Sequence, residues 1–168
     1  TIGVIFDGTG LGIDGSIWGG EFLLGNRKSF QRIGHLKPVL LQGGNMVIKE
    51  PWRCAASYLY KLGYDPEDHL EQVRISDITV IKQALAINMN CHLSTSMGRL
   101  FDCAAALIGI RQVITYDAQG AIELENAADP CIDDQNYSYS IYKNNNNIYE
   151  LDYAGIISDL LMDKKSGT

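Results

Sequence analysis

Hydrophobic and polar positions change period several times along this chain. Residues 2–7, Ile-Gly-Val-Ile-Phe-Asp, form an apolar run of strand length. Residues 16–24, SIWGGEFLL, predict a second strand, with Gly19 and Gly20 marking a bulge or a close backbone approach. Residues 28–36, KSFQRIGHL, alternate apolar with polar and predict a third. Glycine-rich turns between the three predict an antiparallel meander. Leu40 to Asn45 reads as a loop, with Asn45 a candidate N-cap. Pro51 suits only the first turn of a helix, so a helix is expected to start near Glu50. Trp52, Ala55, Ala56, Leu59 and Leu62 then recur at helical spacing, and Gly63 supplies the C-cap.

The period stays helical further on. Residues 65–76 are polar, carry Pro66, and read as a loop or short helix. Ile78, Ile81, Ala84 and Leu85 predict a helix over 77–88. Ser94-Thr95-Ser96 is a helix-start signal, followed by an apolar helix that ends near Gly109. A further helix is expected over 119–128. The tail reverts to alternation: Tyr137, Tyr139 and Ile141, then Tyr149, Leu151 and Tyr153, flank Asn144–Asn147 and predict a β-hairpin. A last helix is expected over about 154–163. Strands, then helices, then a hairpin describe a mixed α+β fold with an N-terminal meander. No internal repeat or linker divides residues 1–168, so one domain is expected.

Composition narrows the function. The chain has 168 residues, 46% hydrophobic and 20% charged, as in soluble globular domains. A net charge of −6 argues against a nucleic-acid footprint. It leaves nucleotide binding open, because backbone N–H groups and a metal can hold phosphates. No apolar stretch approaches the ~18 residues of a membrane span. Thr1 is not a methionine and a strand begins at once, so a piece of a longer protein is expected. Cys54, Cys91, Cys103 and Cys131 form no CxxC pair, which argues against a zinc knuckle. Cys54 and Cys103 sit in apolar helical settings and read as buried thiols, and reduced thiols suit the cytoplasm. His35, His69 and His92 lack ligand spacing and read as surface or packing residues.

Candidate chemistry gathers in three places. In Asp7-Gly8-Thr9-Gly10, Asp7 could hold a metal while the backbone of Gly8, Thr9 and Gly10 faces phosphate oxygens. The plain alternative is a tight hairpin turn. In Ser94–Asp102, the hydroxyl of Ser96 and the free N–H groups at a helix start make an anion site. Gly98 and Asp102 lie one helical turn apart, and Asp102 could accept ribose hydroxyls. An ordinary Ser cap with a helical acid explains the same residues. Arg99 pairs either with phosphate or with a carboxylate. In Tyr116–Glu125, a turn entering a helix could wrap a purine, with Glu123 reaching a hydroxyl; a solvated acidic face is the alternative.

Jointly, FDGTGLGIDGSIWGGEFLLG (6–25), HLKPVLLQGGN (35–45), KEPWRCAA (49–56), STSMGRLFDCAAALIGIR (94–111) and YDAQGAIELE (116–125) resemble the HypF carbamoyltransferases of nickel–iron hydrogenase maturation. The resemblance covers roughly the first three quarters of the chain. It points to part of the family's C-terminal module, which is similar to TsaD proteins. It implies a partial actin-like ATPase lobe of RNase-H-like type. It also implies a reaction of carbamoyl phosphate and ATP through carbamoyl-adenylate, with transfer to the C-terminal cysteine of HypE. Asp7 would then sit at a divalent metal (Mg²⁺, with Fe or Zn as alternatives) and the phosphates. Gly98 and Asp102 would hold the nucleotide, and Gly120 and Glu123 would lie in the purine–ribose segment.

The chain departs from the family pattern in places. Gln42-Gly43-Gly44-Asn45 replaces a proline-led GGD run, and Tyr116-Asp117-Ala118-Gln119-Gly120-Ala121 replaces YEGQAA. The histidine-rich metal motif of the family is not in this sequence, so at most a partial nucleotide site is expected. Two other readings remain: a small-molecule O-carbamoyltransferase of the same fold, and a non-catalytic docking subdomain.

Overall fold

A computed structural model describes residues 1–128 and 136–167. Strands β1 (Ile2–Leu11), β2 (Ile17–Gly25) and β3 (Phe30–Leu36) run antiparallel, as their alternation predicts. The sheet extends beyond this meander. β2 meets β5 (Cys91–Ser94) in parallel through Ile17 and Ser94, and β3 meets β7 (Tyr149–Asp152) in parallel. β4 (Val39–Gln42) pairs antiparallel with β5, and β6 (Ser140–Lys143) with β7. The seven strands form one mixed sheet in the order β4-β5-β2-β3-β7-β6, with β1 paired to β2 outside that path.

Some expectations change. Asp7–Gly10 is not a turn: β1 runs through it, and the register slips between Phe6 and Gly10, so these residues bulge from the ladder. The chain reverses at Gly12–Ser16 instead, where Gly15 takes φ +78° and the Asp14 carboxylate accepts the Ser16 N–H at 3.0 Å. Residues 40–45 are not all loop, because Val39–Gln42 forms β4. Asn45 precedes the short helix α1 (Met46–Lys49) but makes no side-chain cap bond. The third strand begins at Phe30 rather than at residue 28. The helix expected from residue 77 is α3 (Ile75–Ala86).

The central helix is α2 (Pro51–Leu62). Pro51 occupies its first turn, and Gly63, left-handed at φ +83°, donates to the Leu59 and Tyr60 carbonyls. α2 packs against α4 (Met97–Leu107). Both helices bury small residues, Cys54, Ala55 and Ala56 on α2 and Cys103, Ala105 and Ala106 on α4. Small side chains let two backbones approach closely without leaving voids. Cys54 and Cys103 are free and fully buried, and burial pushes both thiols up from their ordinary pKa. Helices α5 (Gln119–Ala127) and α6 (Ala154–Ser166) complete the layer against α4. Between β6 and β7, the asparagine run turns with Asn147 at φ +62°. Among the described residues no helix is long and apolar enough to cross a membrane.

Tyr58 and Tyr153 meet edge-on at 4.7 Å between ring centroids, fully buried, and neither hydroxyl has a hydrogen-bond partner among the described residues. An unsatisfied buried hydroxyl costs about 1–3 kcal/mol. Tyr58→Phe is therefore expected to raise stability by about 1 kcal/mol. A lower urea midpoint for the variant would show that this hydroxyl has a partner after all. β1 stands apart from this core: Ile2, Val4 and Phe6 are exposed, and the register with Leu24 and Phe22 puts them on one face.

Candidate functional site

The bulge of β1 rests on the first turn of α4. Ser96, fully buried, caps that helix: its hydroxyl accepts the Arg99 N–H at 3.1 Å. The same oxygen lies 2.8 and 2.7 Å from the carbonyls of Asp7 and Gly8, which share its single proton. Gly98 is the point of closest approach, since a Cβ there would stand 2.7 Å from Gly8 Cα. From β2, a Cβ on Gly19 would fall 2.4 Å from the Asp7 carbonyl oxygen, and one on Gly20 2.4 Å from that of Thr95. The close approach expected at Gly19 and Gly20 is thus present, and it holds the bulge against α4.

Beneath this contact lies a carboxylate that the sequence reading passed over. Glu21 is 1% exposed, and its Oε2 accepts from Arg32 Nε at 2.5 Å. Its Oε1 accepts from the Thr95 hydroxyl and from the N–H groups of Gly19 and Gly20. Arg32 also stacks on Trp18 at 4.2 Å and reaches Asp14 at 3.2 Å. The pair is buried, multiply bonded, and tied to the segment that starts α4. An acid beside two glycines in an otherwise apolar strand was the available signal.

One turn into α4, Asp102 is 3% exposed. Its Oδ2 lies 2.6 Å from Arg99 Nη1, an ion pair in which neither atom has a properly directed hydrogen bond. Burial pushes the Asp102 carboxyl up to about 6, against the pull of Arg99 and with a further push from Asp117. Because this folded-state pKa exceeds that of the unfolded chain, the acid's contribution to stability is complete at low pH. It is lost as pH rises through about 6. Gly120 faces the same group: a Cβ there would stand 3.1 Å from Asp102 Oδ1. Ala118, at the entry to α5, is held left-handed at φ +58°, a conformation that glycine takes without strain.

Glu123 is engaged elsewhere. Arg111 donates to both its oxygens at 2.7 and 2.6 Å and holds its carboxyl below the usual range, and Gln119 Nε2 donates at 2.8 Å. Asp7 is exposed, with Oδ1 accepting the Gly8 N–H at 2.6 Å. Among the described residues no group of three or more His, Cys, Asp or Glu could hold a metal ion, so these residues alone do not complete a divalent-metal site. Gly10 rejoins the ladder opposite Trp18. Gly8 and Thr9 line a cleft of about 180 Å³, whose other walls include Asn45, His92 and Arg99. His35 is buried with Nδ1 2.9 Å from the Leu36 carbonyl, and His69 packs edge-on to Tyr64. The structure therefore brings Gly8, Ser96 and Gly98 together, sets Asp102 and Gly120 one turn away, and leaves Glu123 bound to Arg111.

Residues 3–168 match the family model described as "Carbamoyltransferase, Kae1-like Domain, second subdomain". That class accounts for the mixed α/β lobe. Over 129 residues the chain is 43% identical to Carbamoyltransferase HypF of Rhodobacter capsulatus, covering 74% of this chain and 17% of that protein. Over 151 residues it is 37% identical to the Probable carbamoyltransferase HypF of Methanocaldococcus jannaschii, covering 88% and 20%. The crystal structure of full-length HypF in the phosphate- and nucleotide-bound form superposes with a TM-score of 0.92 at 35% identity, over 99% of this chain and 22% of that one. The chain belongs to the HypF carbamoyltransferase family and spans about a fifth of the length of these relatives.

Proposed function

We propose that residues 1–168 form one domain, the nucleotide-holding second lobe of a HypF-type carbamoyltransferase. In this reading the parent enzyme uses carbamoyl phosphate and ATP, by way of carbamoyl-adenylate, to carbamoylate the C-terminal cysteine of HypE. The observation that carries it is the contact of the Asp7–Gly8 bulge with the Ser96-capped start of α4, with a buried acid one turn further in. Free N–H groups at a helix start attract phosphate. Gly8, Thr9 and Gly10 supply backbone groups on the phosphate side, and Ser96 and Gly98 hold that backbone on the helix. Asp102 accepts ribose hydroxyls, and Gly120 leaves room beside it. Glu123 acts through Gln119 and Arg111, by fixing the start of α5. Asp7 contributes one ligand to a divalent ion whose other ligands come from phosphate and from outside this chain.

An ionised carboxylate accepts a ribose hydroxyl more strongly than a protonated one. With the Asp102 carboxyl at about 6, nucleotide affinity is expected to rise severalfold from about pH 5 to about pH 7, and Asp102→Asn to remove that rise. Calorimetric titration with ATP and Mg²⁺ measures both. A pH-independent affinity in the parent chain would remove Asp102 from the site. The docking-subdomain reading draws its support from the exposed Ile2, Val4 and Phe6 face, and absence of nucleotide binding by the folded chain would favour it.

A further inference from the structure

One guanidinium touches both halves of the site. Arg99 is 6% exposed. Its Nε donates to the Gly8 carbonyl at 3.3 Å, and its Nη1 lies 2.6 Å from Asp102 Oδ2. A Cβ on Gly8 would stand 3.0 Å from Nη2, so the fork lies against the bulge itself. The Gly8 carbonyl needs this donor. A bulge takes its residues out of the ladder. The Ser96 hydroxyl has one proton for two carbonyls, those of Asp7 and Gly8, and Arg99 supplies the second donor. Ser96 in turn accepts the Arg99 N–H, which closes a ring of bonds on the bulge.

We infer that Arg99 is a positioning residue, which does not hold the ligand but couples the phosphate-side backbone at Gly8 to the sugar-side acid at Asp102. It rests on the nucleotide reading for what the site binds, whereas the coupling belongs to the unliganded chain. Nη1 and Oδ2 are close, but neither has a directed hydrogen bond among the described residues. Their attraction is therefore charge on charge, and it needs the carboxylate ionised. An ionised Asp102 clamps the guanidinium at both ends and holds the bulge in its binding form; a protonated one releases one end. Arg99 on the same helix and Asp117 before α5 are the charges that face Asp102. Cys54 of α2 and Cys103 of α4 face it as thiols that burial keeps protonated.

The test is an NMR pH titration of the isotope-labelled chain, first without ligand. The Gly8 and Thr9 amide signals are expected to move with the Asp102 carboxyl, at about pH 6. His92 lines the same cleft, so Asp102→Asn is the control, and it should flatten that movement. Arg99→Lys keeps a charge beside Asp102, but one ammonium cannot serve both ends. It should leave the Asp102 midpoint in place, remove the matching movement at Gly8, and weaken ATP binding at least about tenfold. Arg99→Met also removes the charge and should raise the Asp102 midpoint by about one pH unit. If the methionine variant does not fold, the parent chain and Arg99→Lys decide. Gly8 and Thr9 signals that ignore Asp102 in the parent chain would overturn the inference. So would Arg99→Lys with the Gly8 movement intact: weakened ATP binding would then make Arg99 a ligand contact, and unchanged binding would make it dispensable. A coupled titration in a chain that binds no ATP would fault the nucleotide reading alone.

Discussion

Replacing Glu21 by alanine is expected to destabilise the chain by about 3–5 kcal/mol, measured by denaturant unfolding. The magnitude follows from what stays behind. Arg32, whose side chain is 14% exposed, would keep its charge with only the partly exposed Asp14 to balance it. The Thr95 hydroxyl and the Gly19 and Gly20 N–H groups would lose their shared acceptor. Glu21→Gln keeps an acceptor at that position and should lose less. A loss below about 1 kcal/mol for the alanine variant would mean that water reaches Arg32 and replaces the carboxylate. The effect should extend to ligand binding, because Thr95 leads directly into the Ser96 cap of α4.

Gly98→Ala makes the second large change, and its sign is diagnostic. Within a helix this substitution normally stabilises by about 1 kcal/mol. Here the new methyl would meet the backbone of β1 at Gly8 Cα, 2.7 Å away, and the bulge must move. We expect net destabilisation of about 1–3 kcal/mol and at least a tenfold loss of nucleotide affinity. Gly63→Ala is the control. No atom lies within 4 Å of its added Cβ, so its effect is confined to the strain of φ +83° and leaves binding intact. Unchanged affinity in Gly98→Ala would separate the bulge from the ligand site.

Much of this architecture is legible in the residues, and what escapes does so for physical reasons. α2 is bracketed by Pro51 and Gly63, each with one conformational use, so its limits could be read directly. The Ser96 cap follows from local chemistry in the same way. β4 and β5 are only four residues each, too short for a period to register, and they exist because they pair with each other. The bulge at Asp7–Gly10 looks like a turn locally, because Asp-Gly favours both; contact with β2 and α4 decides between them. Arg99 and Asp102 are neighbours on one helix, so either could be suspected from spacing. Glu21 with Arg32, and Glu123 with Arg111, are brought together by long-range folding, and no local pattern announces such pairs. The role of Glu123 in fixing α5 is therefore a product of the structure.

The left-handed Ala118 and the crowded Gly120 make the entry of α5 sensitive to the placement of a single methyl. Removing the one at 118 would relax a backbone held at φ +58°, whereas adding one at 120 would press it to 3.1 Å from Asp102 Oδ1. The two positions therefore respond to an alanine–glycine exchange in opposite senses, and moving the methyl from one to the other is not a neutral swap.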